Sequence, residues 1–376
     1  MKILFLTSNL GFFKTHFFES WIEGNWNKDG LVVTGKTGSI VIEKNIDKYF
    51  ELKNIKFIKF DISGGFKINI IELVNIYKIF YLLQKKNFDL IRTSSPKFGL
   101  IGLILAYFLN IKIVYMVSGV GYLGSTNNIF FRIVYKIVKY LTIYLIKNTK
   151  SFIIVENTQD FFYWKNKINK YRVKILCGSG VSKKFYKDNA DLKKKIILFP
   201  SRFLVSKGAK IFIECANILK KKYPDWEFVM IGADDYNNPH LLNKVFLNKA
   251  KKNNIVKILP FSDNLNDILK ITSIVCLPTW REGKSKVLLE ASAARCGIVT
   301  TDVVGCNDVY KNNVNSILVK KNDITSLTLG IEKLINDKEL LNKIQNNAKY
   351  NPALKSSLIR IVSSTKKIYN EINEKF

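Results

Sequence analysis

Glu282 and Glu290 lie in the stretch Arg281-Glu282-Gly283-Lys284-Ser285-Lys286-Val287-Leu288-Leu289-Glu290, two carboxylates with seven residues between them, cations and small residues among those. The apolar run before it, Ile274-Val275-Cys276-Leu277-Pro278, reads as a buried parallel strand. Good helix formers follow through Ala291-Ser292-Ala293-Ala294-Arg295, and Gly297 marks the stop. The order is strand, short loop, helix, with Ser285 at the N-cap. Such a start aims backbone N–H groups and the positive end of a helix dipole at the mouth of the sheet. It leaves Glu282 in the loop and Glu290 about one and a half turns into the helix. An anion held between two hydroxyl-binding carboxylates describes a nucleotide sugar. Taken alone, the pair better fits a plain helix start with two solvated glutamates; the rest of the chain decides against that.

A second set of charges lies upstream. Ser201-Arg202-Phe203-Leu204-Val205-Ser206-Lys207-Gly208 follows the strand-like run Ile196-Ile197-Leu198-Phe199 and precedes a helix over 209–223. Its two cations, five residues apart, suit a diphosphate: Arg202 offers a bidentate fork and Lys207 a point charge. Further strands are expected over 227–231, ending at Gly232, over 256–259, ending at Pro260-Phe261, and at Ile298-Val299-Thr300-Thr301. In open α/β sheets, ligands bind where strands end at their carboxyl side.

The 376 residues are enough for two domains, and a 47% hydrophobic content supports packed cores. The first half alternates strand candidates (Lys2 to Leu6, Leu31-Val32-Val33, Phe57-Ile58-Lys59-Phe60, Leu90-Ile91, Ile113-Val114-Tyr115-Met116-Val117, Phe152-Ile153-Ile154-Val155) with helical segments. Gly11 between the first strand and first helix, and Gly119 in Ser118-Gly119-Val120-Gly121-Tyr122, are turns where phosphates can rest, though no G-x-G-x-x-G follows. His16 sits one turn from the first of them. The composition shifts after Gly178-Ser179-Gly180 to a lysine-rich stretch reaching Lys195. The expected organisation is two Rossmann-like doubly wound α/β domains, 1–180 and 195–352, facing a central cleft. A closing helix in 353–376, placed at 354–372, is expected to pack back on the first domain.

A formal charge of +30 implies polyanionic partners: nucleic acid, phosphorylated substrates or an anionic membrane surface. Dispersed lysine and the absence of a recognisable binding module argue against specific nucleic acid. Five cysteines without C-x-x-C pairing read as reduced core residues of a cytoplasmic protein. The short run Met1 to Leu6 ends at polar Thr7-Ser8-Asn9, so no secretory leader is expected. The apolar stretch 98–109 is too short to span a bilayer. That stretch and 129–147, which mixes aromatics and aliphatics with Arg132, Lys136, Lys139 and Lys147, are either core helices or surface-partner helices. The second suits an anionic membrane interface.

Arg202 with Lys207-Gly208, then Gly232, the E-x7-E of Glu282 and Glu290, and Thr301-Asp302-Val303-Val304-Gly305-Cys306 together resemble the nucleotide-binding domain of the family-four retaining glycosyltransferases, over 200–309. Val117 to Tyr122 is similar to a glycine turn of the subgroup that extends bacterial glycans on polyprenyl-diphosphate carriers with UDP-N-acetylhexosamines. Three positions depart from the family pattern. Lys284-Ser285 stands where an apolar residue and then Pro or Gly are usual, Arg295-Cys296-Gly297 replaces Gly-x-Pro, and Ser118 stands where many members have His.

The resemblance implies the GT-B fold and a UDP-sugar donor. Glu282 would meet the donor-sugar hydroxyls, and backbone N–H groups of Gly283, Lys284 and Ser285 the sugar and phosphate. Glu290 would bind the ribose, Arg202 and Lys207 the diphosphate, and the backbone at Phe261 the base. Ser118 and His16 would lie on the acceptor side, where a lipid-linked saccharide is expected at the inner face of the plasma membrane. The implied reaction retains configuration by front-face displacement, with the leaving diphosphate taking the acceptor proton. No Asp-x-Asp occurs, so fixed cations rather than a divalent metal are expected to carry the leaving charge, and no cofactor is expected. Another GT-B enzyme, such as a sugar-nucleotide epimerase, is the alternative.

Overall fold

Strand residues two apart share a face of a sheet, and the first strand, β1 (Ile3–Thr7), shows the consequence. Leu4 and Leu6 enter one apolar core, Ile3 and Phe5 another. The computed structural model describes residues 1–36, 40–63, 69–117, 129–187, 193–235, 238–262, 264–347 and 351–376. The chain forms two units, Met1–Gly180 with Leu358–Phe376, and Val181–Ser357.

In the first unit β1 is followed by α1 (Leu10–His16), α2 (Phe18–Glu23), β2 (Leu31–Thr34), α3 (Ile40–Leu52), β3 (Phe57–Lys59), α4 (Ile70–Lys86), β4 (Leu90–Ser94) and α5 (Pro96–Leu109). Then come β5 (Lys112–Met116), α6 (Ile129–Lys147), β6 (Ser151–Val155), α7 (Thr158–Lys165) and β7 (Val173–Ile175). The sheet order is β3-β2-β1-β4-β5-β6-β7, every described pair parallel. Side chains of α4, α5, α6 and α7 fill the core with Leu4, Leu6, Ile153 and Val155. Side chains of α1, α2 and the terminal helix fill the other with Ile3, Phe5, Phe152 and Ile154.

The second unit runs β8 (Lys194–Pro200), α8 (Ala209–Lys222), β9 (Glu227–Gly232), α9 (Lys244–Lys252), β10 (Lys257–Pro260), α10 (Leu265–Ile271), β11 (Thr272–Leu277) and α11 (Lys286–Ala293). It continues with β12 (Gly297–Thr301), β13 (Ile317–Val319), α12 (Ile324–Asn336), α13 (Lys338–Asn346) and α14 (Pro352–Lys355). Its parallel sheet has the order β10-β9-β8-β11-β12-β13. Every residue of the central strand β11 is buried. This matches the unbroken apolar run of a strand covered on both faces.

One open alternative is settled and one expectation is corrected. The stretch 98–109 lies in α5, a core helix: Phe98, Ile101, Leu103, Leu105 and Ala106 are buried, and only Tyr107 and Phe108 at its end face solvent. The closing helix expected over 354–372 is two helices, α14 and α15 (Leu358–Lys375). At the break the Ser356 carbonyl accepts from Val181 N at 2.8 Å, a bond that takes this acceptor outside any helix ladder. α15 belongs to the first unit, where Ile361, Ile368 and Ile372 enter the core beside Phe5 and Phe152. Among the described residues no helix is long and apolar enough to cross a membrane.

Lys97 and Glu72 form an ion pair at 2.8 Å, both nearly fully buried, tying the starts of α4 and α5 together. Burial opposes the Glu72 charge, but the bonds from Lys97 and from Ser63 N–H outweigh it and hold the carboxyl below its ordinary range. A depressed folded-state pKa contributes stability above the unfolded value, and that contribution is lost as pH falls through the folded one. Lys97→Met leaves the buried carboxylate without its cation and is expected to cost about 3–5 kcal/mol in urea unfolding at pH 7. Its deficit against the parent should shrink toward acid pH, where Glu72 is protonated. A deficit unchanged by acid would mean that lost packing, not the stranded charge, is responsible.

Candidate functional site

The order of the second sheet reverses between β8 and β11. β8 leads outward to β9 and β10, β11 outward to β12 and β13. Such a switch point leaves a crevice at the carboxyl ends of the two central strands. The two charged loops picked out in the sequence leave the sheet there: 201–208 after β8 and 278–285 after β11.

Three glycines let the loops close on one another. Gly208 has φ +84°, and a Cβ there would lie 2.3 Å from the Pro278 carbonyl oxygen, so the β8 loop rests on the end of β11. Gly305 has φ +83°, and its Cβ would lie 2.2 Å from the Glu282 carbonyl oxygen. The turn after β12 therefore braces the Glu282 segment, and Glu282 N donates to Val304 O at 3.1 Å. A Cβ at Gly232 would sit 2.0 Å from Ser201 O, which brings the end of β9 against the residue that precedes Arg202. Only a residue without a side chain permits such approaches.

The outcome is a direct contact between two candidates. Lys207 Nζ lies 2.6 Å from Glu282 Oε1, with side chains 22% and 10% exposed. Arg202 is half exposed and its Nη1 lies 2.5 Å from Asp235 Oδ2. Lys244 approaches Asp234 at 3.9 Å. The adjacent Asp234 and Asp235 thus supply counter-charges to Lys244 and Arg202; Tyr236 and Asn237 lie outside the described residues. Glu290 is buried in α11 with Lys286 Nζ 3.7 Å away, one turn back. Ser285 does stand at the N-cap of α11, but its hydroxyl makes no capping bond, leaving the N–H groups of the first turn without that side-chain acceptor. Gly283 and Lys284 are half-buried in the same loop. Phe261 is mostly exposed beyond β10, the edge strand, two strands from β8. Beneath Glu282, Cys306 is buried; burial, and then the nearby carboxylate, push its thiol up to about 12, so it stays protonated.

Trp280 went unnoticed in the sequence. Its backbone N–H donates to Ser206 O at 2.9 Å, its indole N–H to Asn322, and its ring centroid lies 5.4 Å from that of His240. One aromatic thus ties the loops after β8, β9, β11 and β13 together, and nothing in local spacing announces it.

In the first unit the order reverses between β1 and β4, and the loop after β1 holds the other candidates. Asn9 Oδ1 caps α1 by accepting from Phe12 N at 2.7 Å. Gly11 falls inside the first turn of α1, and a Cβ there would meet nothing closer than 3.3 Å, so it forms no obligatory glycine turn. His16, the last residue of α1, has Nδ1 3.3 Å from Ser179 Oγ and its ring against Phe12. Ser118 and Gly119 lie outside the described residues. Across the switch point Ser94 Oγ bonds Thr7 Oγ1 at 3.1 Å. Ser95 takes φ +76°, ψ 150°, a region nearly confined to glycine, with its hydroxyl oxygen buried and unpartnered.

Two doubly wound parallel sheets, one per unit, define the two-domain α/β class known as GT-B. Anabaena HepE, solved with UDP-glucose, shares that fold at a TM-score of 0.79, with 16% identity over 99% of this chain and 100% of that one. Residues 181–350 match the family described as "Glycosyl transferases group 1". This segment is a group 1 glycosyltransferase domain, and the chain that carries it is a glycosyltransferase. It is similar to the capsular polysaccharide biosynthesis glycosyltransferase CapM of Staphylococcus aureus, 26% identical over 80% of this chain and 81% of that protein. It is also similar to the N,N'-diacetylbacillosaminyl-diphospho-undecaprenol alpha-1,3-N-acetylgalactosaminyltransferase of Campylobacter jejuni, 25% identical over 78% of this chain and 80% of that one.

Gly305→Ala tests the brace behind Glu282. Positive φ on a residue with a Cβ costs about 1–2 kcal/mol before the clash is counted. The urea midpoint is expected to fall with the slope m unchanged. A midpoint equal to the parent's would show that the turn after β12 does not press on the Glu282 segment.

Proposed function

We propose that this glycosyltransferase moves an N-acetylhexosamine, with retention of configuration, from its UDP-sugar to a saccharide carried on a polyprenyl diphosphate, at the cytoplasmic face of the bacterial inner membrane. The observation that carries the reading is the Lys207–Glu282 contact at the β8–β11 switch point of a group 1 domain. There one cation and one hydroxyl-binding carboxylate stand where strands 8 and 11 part. The printed activity of the Campylobacter relative supports the sugar and the carrier, and the UDP-glucose bound by the structural relative supports the nucleotide.

In this reading Glu290, buried in α11, accepts from the ribose hydroxyls, and the uncapped N–H groups at the start of α11 face the diphosphate with Lys207. Glu282 both accepts from the sugar hydroxyls and holds Lys207 in place. Arg202, kept by Asp235 while no donor is bound, exchanges that partner for the diphosphate. The bond from the anomeric carbon to the diphosphate oxygen breaks as the bond to the acceptor oxygen forms on the same face. The acceptor proton passes to the departing phosphate. His16, beside Ser179, belongs to the acceptor side with Ser118. Fixed cations carry the leaving charge, and no divalent metal is needed.

A panel of nucleotide sugars tests the donor. A UDP-N-acetylhexosamine at 100-fold over its Kd is expected to stabilise the fold by about 2.7 kcal/mol; stabilisation by GDP- or ADP-sugars alone would reject the assignment. Turnover in excess EDTA should stay near the untreated level, while Lys207→Ala loses about 2.7–4 kcal/mol of transition-state stabilisation, as for an oxyanion donor. Activity abolished by EDTA and restored by Mn²⁺, with Lys207→Ala near normal, would transfer the phosphate chemistry to a metal. Glu290→Gln is expected to raise the donor KM more than it lowers kcat, because the ribose contact exists in ground and transition states alike. Unchanged donor kinetics would remove that role.

A further inference from the structure

On one side of the first sheet, two helices turn apolar side chains away from the core. α4 and α6 flank α5, and all three pack on the strand face that carries Leu4, Leu6 and Ile153. α4 buries Ile79 and Leu83 against that face yet exposes Ile70, Leu73, Val74, Tyr77 and Tyr81, Ile70 and Tyr77 by 80% and 67%. The spacing 70, 74, 77, 81 is one helical stripe. α6 buries Leu145 and Ile146 and exposes Ile133, Ile137, Tyr140, Leu141 and Tyr144, again one stripe at 133, 137, 140, 144. Each stripe spans eleven residue steps, about 16 Å at 1.5 Å per residue. Tyr107 and Phe108 are exposed at the end of α5, and the Tyr107 ring centroid is 6.5 Å from that of Tyr144 on α6.

Soluble surfaces seldom gather so many exposed apolar side chains on adjoining helices without a partner for them. The charges on the same helices indicate which partner. α4 holds one acidic residue, Glu72, spent on the buried pair with Lys97; α5 and α6 hold none. The solvent-facing charges are Lys78, Lys85 and Lys86 on α4 and Arg132, Lys136 and Lys147 on α6, all positive. Five of the exposed rings on these helices, Tyr77, Tyr81, Tyr107, Tyr140 and Tyr144, belong to the residue type that settles at the boundary of hydrocarbon and headgroup. A second copy of this chain would bring cations against cations. An anionic bilayer offers acyl chains to the stripes and phosphates to the lysines.

We propose that the α4–α6 face is a membrane-docking surface. The α4 stripe enters the acyl boundary together with α6, and the surrounding lysines and arginines engage anionic headgroups. This deepens the membrane-side reading of the acceptor, placing the contact on two named helices with an inserted apolar component beside the electrostatic one.

The test is flotation of the full chain, without donor or acceptor, on phosphatidylcholine vesicles with and without 30 mol% phosphatidylglycerol. Donor affinity for UDP is measured in parallel, so that failure of docking is distinguishable from failure of the sugar-transfer reading. The substitutions are at exposed positions: Ile70→Gln/Val74→Gln/Tyr77→Gln on α4 and Ile133→Gln/Ile137→Gln/Tyr140→Gln on α6, with Val245→Gln/Leu329→Gln in the second unit as control. Each triple variant is expected to lose at least tenfold in partition to anionic vesicles, at low and at high salt, with UDP affinity and the control unchanged. Neutral vesicles should bind the parent more weakly than anionic ones. Parent-like partition of the α4 variant overturns the proposal. So does a parent that runs as a dimer which the triple variants dissolve, since the stripes would then be covered by a second copy.

Discussion

Lys207 and Glu282 are 75 residues apart in the chain, yet Nζ and Oε1 stand at 2.6 Å. That contact depends on almost everything else in the second unit. β8 and β11 must be neighbours with opposite outward order, and Gly208 must let the first loop lie on Pro278. Gly305 must let the turn after β12 support Glu282 from behind. The side chains are mostly shielded from water, so the attraction is screened less than at an open surface. In the proposed function this pair joins a group that attracts phosphate to a group that accepts from hydroxyls, the two halves of recognising a sugar nucleotide.

Around this pair the charges are arranged in couples. Arg202 is held by Asp235 and Glu290 is approached by Lys286. A strongly basic chain can hold cations of a loop cluster in place by pairing them with carboxylates. At the same sheet end the structure also uses neutral devices: the buried Cys306 thiol beneath Glu282, and Trp280 joining four loops through its N–H groups and ring contact.

The first unit has a different balance. Its one nearly fully buried described ion pair, Lys97–Glu72, secures the starts of α4 and α5, and the outer faces of α4 and α6 are left apolar and basic. Strain and an unpartnered hydroxyl meet in Ser95 at its own switch point. The two units thus share a topology and differ in their polar groups, with paired cations and carboxylates at the sheet end of the second and an apolar, basic face on the first.

Local patterns were enough for every strand but β7 and β13, two three-residue edge strands, because unbroken apolar runs such as 274–277 have few other uses. They were enough too for the loops after β8 and β11, because charged and glycine-containing stretches between such runs must lie at a sheet end. The E-x7-E spacing and the Arg202–Lys207 interval were legible because they lie within single loops or helix turns. The sequence could not show that Lys207 meets Glu282, that Asp235 partners Arg202, or that Trp280 bridges four loops, since each contact joins segments brought together only by strand order. Composition also could not distinguish 98–109, a buried core helix, from 129–147, a helix with an exposed apolar stripe. Both are rich in aliphatics and aromatics, and which side of a helix is covered is decided by its neighbours. Gly11 and the break at Ser356 carry the same lesson at smaller scale: where a helix begins or stops depended on which backbone groups found partners elsewhere, and only the folded chain supplies those.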